Sequence, residues 1–207
     1  MIINKEKYLL TSNNYYESEY KKTQIVLGNS FSETDKHIIG WNNRIGGVYK
    51  KTSTFSILKT GEIYQHFDDV YYSDFLDSKT LNKKIITITL ENRGWLQKDL
   101  EQNIYFDWVG NIYNDKENII EKKWRGQTYW DYYTIEQYVS TNNLINFICE
   151  KHKIPKKCVG HNTYIEDIDI FEGITYKSNY YKDCTDLNPG WNFKKFKETF
   201  EDEKINY

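Results

Sequence analysis

Cys158-Val159-Gly160-His161 places a thiol and an imidazole three residues apart, and Asp183 and Cys184 follow later in the chain. Thiolate and imidazole are suitable zinc ligands, and a Cys–His pair is also a route to an activated nucleophile. Both uses need the two side chains on one side of the backbone. A strand over 157–160 sends residues three apart to opposite faces, and no helix N-terminus or third orienting group marks the thiol for activation. The spacing therefore favours buried thiols and a hydrogen-bonded imidazole, since free cysteine packs as a small hydrophobe. An alternative site built on Cys158, His161 and Cys184 stays open at this level. His37 falls in an early helix, His66 at the end of a hairpin, and His152 near the end of a long helix, where a cation meets the dipole favourably. Each reads as structural or solvated.

The elements that must position these residues belong to one domain, because 207 residues leave no room for a second full core. A net charge of −2 gives no basic field for nucleic acid. No 18 apolar residues run together, so no membrane insertion is expected, and Met1 to Lys7 lacks a signal-peptide core. Three cysteines without framework spacing argue against a disulfide scaffold. Aromatic residues make up 17%, a share that suits pleated surfaces and leaves rings for gripping sugar or peptide.

Residues 1–22 read as a variable lead-in, and 23–207 as the domain proper. Ile25-Val26-Leu27 is a buried strand, and Ser32 to Asp35 resembles a capping box opening a helix through Trp41. Thr52 to Lys59 and Glu62 to Phe67 form a hairpin about Thr60-Gly61. Lys84 to Leu90 is the strongest strand and belongs at the centre of a sheet. The stretch 98–130 is less regular, with a small hairpin near Gly110-Asn111. Thr134 and Gln137 make a second capping box before a long helix ended by Pro155. Lys157 to Gly160 is a short strand, 162–183 an inserted loop, and Asn192 to Phe200 a last helix. Strands interleaved with helices predict an α/β fold: a single domain with a central mixed β-sheet flanked by helices.

Seven short segments then occur in a telling order: Ile25-Val26-Leu27-Gly28; Trp41-Asn42; Thr60-Gly61-Glu62; Asn82 before the central strand; Tyr133 to Gln137; Val159-Gly160-His161; and Asp186-Leu187-Asn188-Pro189-Gly190 before a Phe-bearing helix. In that order, over roughly 23–197, the chain resembles the N-acetylmuramoyl-L-alanine amidases, amidase-type phage lysozymes and peptidoglycan recognition proteins. The resemblance implies that family's fold and a zinc-bound water attacking an amide. It places Gly28 at the first His ligand, His161 at the second, and Asn188 at the Asp or Cys. Only His161 is a good ligand. Losing an outer-shell partner alone typically costs ~10–100-fold in affinity or activity, so losing two ligands should remove the metal. Asp186 stands where a Lys often lies, with the wrong sign for an oxyanion, and Thr52 to Phe55 lacks the Tyr that segment can carry.

The expectation is a pseudoenzyme without a cofactor, its zinc site lost, that binds cell-wall muropeptide through Trp41, Asn42, His161 and Asn188, with Tyr71 and Tyr72 at the rim. Two alternatives stand beside it. One is an endolysin-like bacteriophage component that uses the scaffold to bind a protein, with 162–183 as its interaction loop. The other is an active amidase with a non-standard zinc site. The location expected is the cytoplasm, or a virion.

Overall fold

The computed structural model describes residues 1–33 and 35–201. The first half carries β1 (Ile3–Asn4), β2 (Gln24–Asn29), α1 (Lys36–Asn43), β3 (Phe55–Ile57), β4 (Ile63–Gln65), α2 (Lys79–Lys84) and β5 (Ile85–Leu90). Five short strands follow: β6 (Trp95–Asp99), β7 (Ile104–Phe106), β8 (Ile112–Tyr113), β9 (Ile120–Trp124) and β10 (Gln127–Trp130). Then come α3 (Ile135–His152), β11 (Gly173–Tyr176) and α4 (Phe193–Glu201).

The apolar run expected at the centre is there. The main sheet has the order β1-β4-β3-β5-β2-β11, and β5 runs parallel to both of its neighbours, β2 and β3. Every residue of β2 and β5 is buried, as continuous apolar runs in parallel strands require when both faces are covered. Ile25, Leu27, Ile86 and Ile88 face the α3 side chains Leu144, Ile145 and Ile148, while Val26 and Ile85 face Leu76 on the other side. The Thr134 hydroxyl accepts the Gln137 N–H and the Gln137 side chain accepts the Thr134 N–H, so the second capping box is complete. The β3–β4 hairpin is antiparallel, with Phe55 opposite Gln65.

Four features differ from the sequence reading. The irregular stretch is a second sheet, antiparallel throughout, in the order β8-β7-β6-β10-β9. Its strands are short and charged, as in Ile120-Glu121-Lys122-Lys123-Trp124, so they carry little alternation. The segment 162–183 is not all loop: it contains β11, whose Ile174, Thr175 and Tyr176 pair parallel with β2 and are buried. The stretch 157–160 makes only a bridge, Cys158 to Ile174. Helix α1 starts at Lys36, and Asp35 takes the Tyr8 hydroxyl instead of capping; Thr34 of the expected box lies outside the described residues.

Residues 1–22 are tied into this fold. Asn14 donates to the carbonyls of Gly47 and Tyr49, and buried Lys22 donates to those of Tyr71 and Lys83. No helix among the described residues is long and apolar enough to cross a membrane.

Candidate functional site

Parallel strands leave a crevice beyond their carboxyl ends, where loops rather than side-chain layers close the surface. At the ends of β2 and β5, Gly28 stands opposite Thr89. A cavity of about 220 Å³ opens there, and Asn29, Ser30 and Thr89 lie in its wall. Helix α1 and the following loop add His37, Trp41, Arg44 and Tyr49, while Phe75, Lys177 and Tyr181 close the far side.

The three positions read as former metal ligands are separated by packing. A Cβ on Gly28 would lie 2.8 Å from Cζ of Phe75 and 3.3 Å from Oδ2 of Asp186. The ring therefore occupies the space that a side chain from this strand position would need. Asn188 is fully buried, and its side-chain amide makes three hydrogen bonds. Its Nδ2 donates to Asn92 Oδ1 (2.8 Å) and to the Asp131 carbonyl (3.1 Å), and its Oδ1 accepts the Gly190 N–H (2.8 Å). That last donor fixes which amide atom is oxygen. Asn188 also donates its N–H to the Tyr133 hydroxyl, which donates to Asn29 Oδ1 (2.6 Å). A chain of neutral groups thus connects the third ligand position to the residue beside the first. His161 is exposed, with Nδ1 2.7 Å from Thr163 Oγ1.

These residues do not fit a zinc ion. One position has no donor and a ring in its place, one is a neutral amide held by three hydrogen bonds, and one faces solvent. Among the described residues, no three of His, Cys, Asp and Glu stand together as metal ligands would. Cys158 is buried 3.3 Å from the Tyr176 hydroxyl, away from the exposed His161. Burial pushes the Cys184 thiol up to about 12 and the Cys149 thiol to about 11, so both stay protonated at neutral pH.

Electrostatics favour an anion in the cavity. Lys177, Arg44 and Lys51 bring three cations to the lining and Asp77 one carboxylate, which Lys51 already pairs at 2.9 Å. Asp186 lies behind. Its burial raises the carboxyl above the ordinary range, against Lys177 at 4.0 Å and the Asn29 N–H at 3.2 Å. Asn29 Oδ1 is engaged by Tyr133, whereas its buried Nδ2 has no hydrogen-bond partner among the described residues.

Of the residues expected to hold a ligand, Trp41 lines the cavity, edge-on to the rings of His37 and His66. Asn42 is exposed on α1, and Tyr71 and Tyr72 stack on Tyr15 and Tyr16 of the N-terminal segment. Asn29, Phe75 and Lys177 were not anticipated. Asn29 follows Gly28 at a strand end, which was a usable signal; Phe75 and Lys177 gave none.

A family model described as N-acetylmuramoyl-L-alanine amidase matches residues 11–171. A search of curated proteins returns no match. Among solved structures, the chain is similar to the N-acetylmuramoyl-L-alanine amidase LysC from Clostridium intestinale URNW. Identity is 14%, coverage 97% of this chain and 98% of the other, and the TM-score 0.55. A mutant of PlyL superposes with a TM-score of 0.56 at 7% identity, covering 100% of both chains. The Ph2119 endolysin from Thermus scotoductus MAT2119 bacteriophage Ph2119 gives 0.51 at 9% identity, covering 96% of this chain and 99% of that one. At such identities these likenesses establish the fold alone.

Proposed function

The chain belongs to the N-acetylmuramoyl-L-alanine amidase family, and from that premise we propose that it binds cell-wall muropeptide without cleaving it. The observation that carries this reading is the state of the Asn188 amide and of the space beside Gly28. Three hydrogen bonds occupy the first and the Phe75 ring fills the second. Hydrolysis in such a site needs a metal-held water brought to low pKa, and no convergent ligand set stands among the described residues to support one. What remains is a cavity with ring walls, one amide donor and cations, which suits recognition of a sugar–peptide junction. A phage-encoded setting belongs to the same proposal, supported by the endolysin among the structural neighbours.

Sedimentation with insoluble peptidoglycan tests the binding half. Wild-type protein is expected in the pellet, and Trp41→Ala is expected to stay largely in the supernatant. Wild-type protein that remains in solution overturns the reading. A turbidity assay on purified walls, with elemental analysis of the protein, tests the other half. No clearing and no stoichiometric zinc are expected. Clearing that His161→Ala abolishes would establish a working amidase instead.

A further inference from the structure

The muropeptide reading leaves the ligand group at the bottom of the cavity unspecified, and the cavity's own residues bear on it. Lys177 Nζ lies 4.0 Å from Asp186 and 5.0 Å from the Phe75 ring centre, at the edge of the space beside Gly28. Arg44 reaches the cavity across the Tyr49 ring, its guanidinium 5.1 Å from the ring centre, and donates to the Tyr49 hydroxyl at 3.2 Å. Asn29 lines the same cavity, only 9% exposed, with an Nδ2 donor that no described residue accepts. A buried amide donor left without a hydrogen bond is destabilising, so an acceptor delivered by a ligand recovers the loss.

We propose that this cavity binds a carboxylate, held by the Lys177 ammonium, the Arg44 guanidinium and the Asn29 amide. The proposal rests on the muropeptide reading and names the chemical group that the site recognises. A carboxylate offers several acceptor lone pairs, enough for all three donors, and guanidinium meets it in a planar fork. Where the family's fold would present a metal to a carbonyl, this chain presents ammonium and guanidinium charge to an acid. In cell-wall material such a group has two sources. One is the lactyl acid of N-acetylmuramic acid after its peptide has been removed, and the other is an acidic residue of the peptide itself.

Calorimetric titration of the full chain separates these cases with three probes: N-acetylmuramic acid, N-acetylglucosamine, which has the ring without the lactyl acid, and N-acetyl-L-alanyl-D-glutamate. At least one acid is expected to bind, and N-acetylglucosamine at least 10-fold more weakly. Lys177→Gln and, independently, the exposed-site change Arg44→Gln are each expected to weaken the acid 10-fold or more, with thermal melts confirming that both variants fold. The preferred acid identifies the source. Equal binding of N-acetylglucosamine and both acids overturns the proposal, as do folded Lys177→Gln and Arg44→Gln proteins that bind the acid like wild type. If wild type still sediments with walls, the muropeptide reading survives that failure; if it does not sediment, both fall.

Discussion

At the scale of single residues, the proposal of binding without cleavage turns on the charge and hydrogen bonds of Asn188. A carboxylate or thiolate brings a negative charge to a cation, whereas the neutral Asn188 amide brings none, its oxygen accepting from Gly190 and its two protons going to Asn92 and Asp131. The same accounting applies to the imidazoles beside the cavity. Ser56 Oγ lies 2.8 Å from His66 Nε2 and 3.2 Å from His37 Nε2, and His66 Nδ1 faces the Tyr8 carbonyl at 3.0 Å. With Nδ1 donating to that carbonyl, Nε2 of His66 accepts the Ser56 hydroxyl proton, and Ser56 accepts from His37. Burial lowers the His66 pKa to about 4, despite the carbonyl beside it. The folded pKa is below the unfolded one, near 6.5, so the unfolded chain takes up the proton first. Stability is complete above that value and falls as pH drops from 6.5 towards 4, by up to about 3 kcal/mol. Urea titrations across this window are expected to show the loss in wild type and a flatter profile in His66→Gln. Identical slopes in the two proteins would refute the assignment.

Among the elements, α3 shows how local chemistry fixes a position in the fold. Its capping box satisfies orphan N–H groups at its start, and the Thr134 hydroxyl also donates to the Lys59 carbonyl at 2.7 Å, joining the helix to the β3–β4 turn. The Gln137 side chain donates to the Glu91 carbonyl at the end of β5. Thr134→Ala is therefore expected to cost about 1–2 kcal/mol, read as a lower urea midpoint with the slope unchanged. A loss within a few tenths of a kcal/mol would mean that the cap is redundant with packing. Strand β11 shows the converse. Gly173 has φ +138, and a Cβ there would meet the Lys157 carbonyl oxygen at 2.3 Å. Only glycine lets the chain enter the sheet beside β2 at that point, and this requirement is invisible until the neighbouring backbone is in place.

The whole molecule depends on a junction between its two sheets. Asp131, fully buried, accepts from Lys59 Nζ (2.6 Å), the Tyr113 hydroxyl (2.7 Å) and the Arg93 N–H (2.7 Å). Arg93 extends the network to Asp107 and Glu33, and Trp108 Nε1 donates to the Phe31 carbonyl. Because donors converge on both oxygens of one buried carboxylate, turning one oxygen into an NH2 group sets donor against donor and removes the charge that Lys59 pairs with. Asp131→Asn is expected to destabilise the protein by roughly 3 kcal/mol. Hydrogen exchange should show β6 to β10 losing protection before β2 and β5. Uniform loss across both sheets would instead mean that the two unfold as one cooperative unit.

Read alone, the sequence determined the features that are written locally. The apolar run of β5, the turn at Thr60-Gly61 and the Thr134–Gln137 cap each depend on residues a few positions apart, and periodicity and turn chemistry report those directly. Their order along the chain carried the resemblance to the amidases, and with it the fold. Tertiary structure alone decided what stands in the cavity. Phe75 precedes α2 and Lys177 follows β11, and they meet beside Gly28 because the main sheet brings those loops to the same end. The second sheet was hidden for a related reason: its short, charged strands gain their order from pairing with one another and from the Asp131 junction, not from a pattern inside any one of them. Local spacing encodes which element forms; only the packed topology encodes which side chains become neighbours.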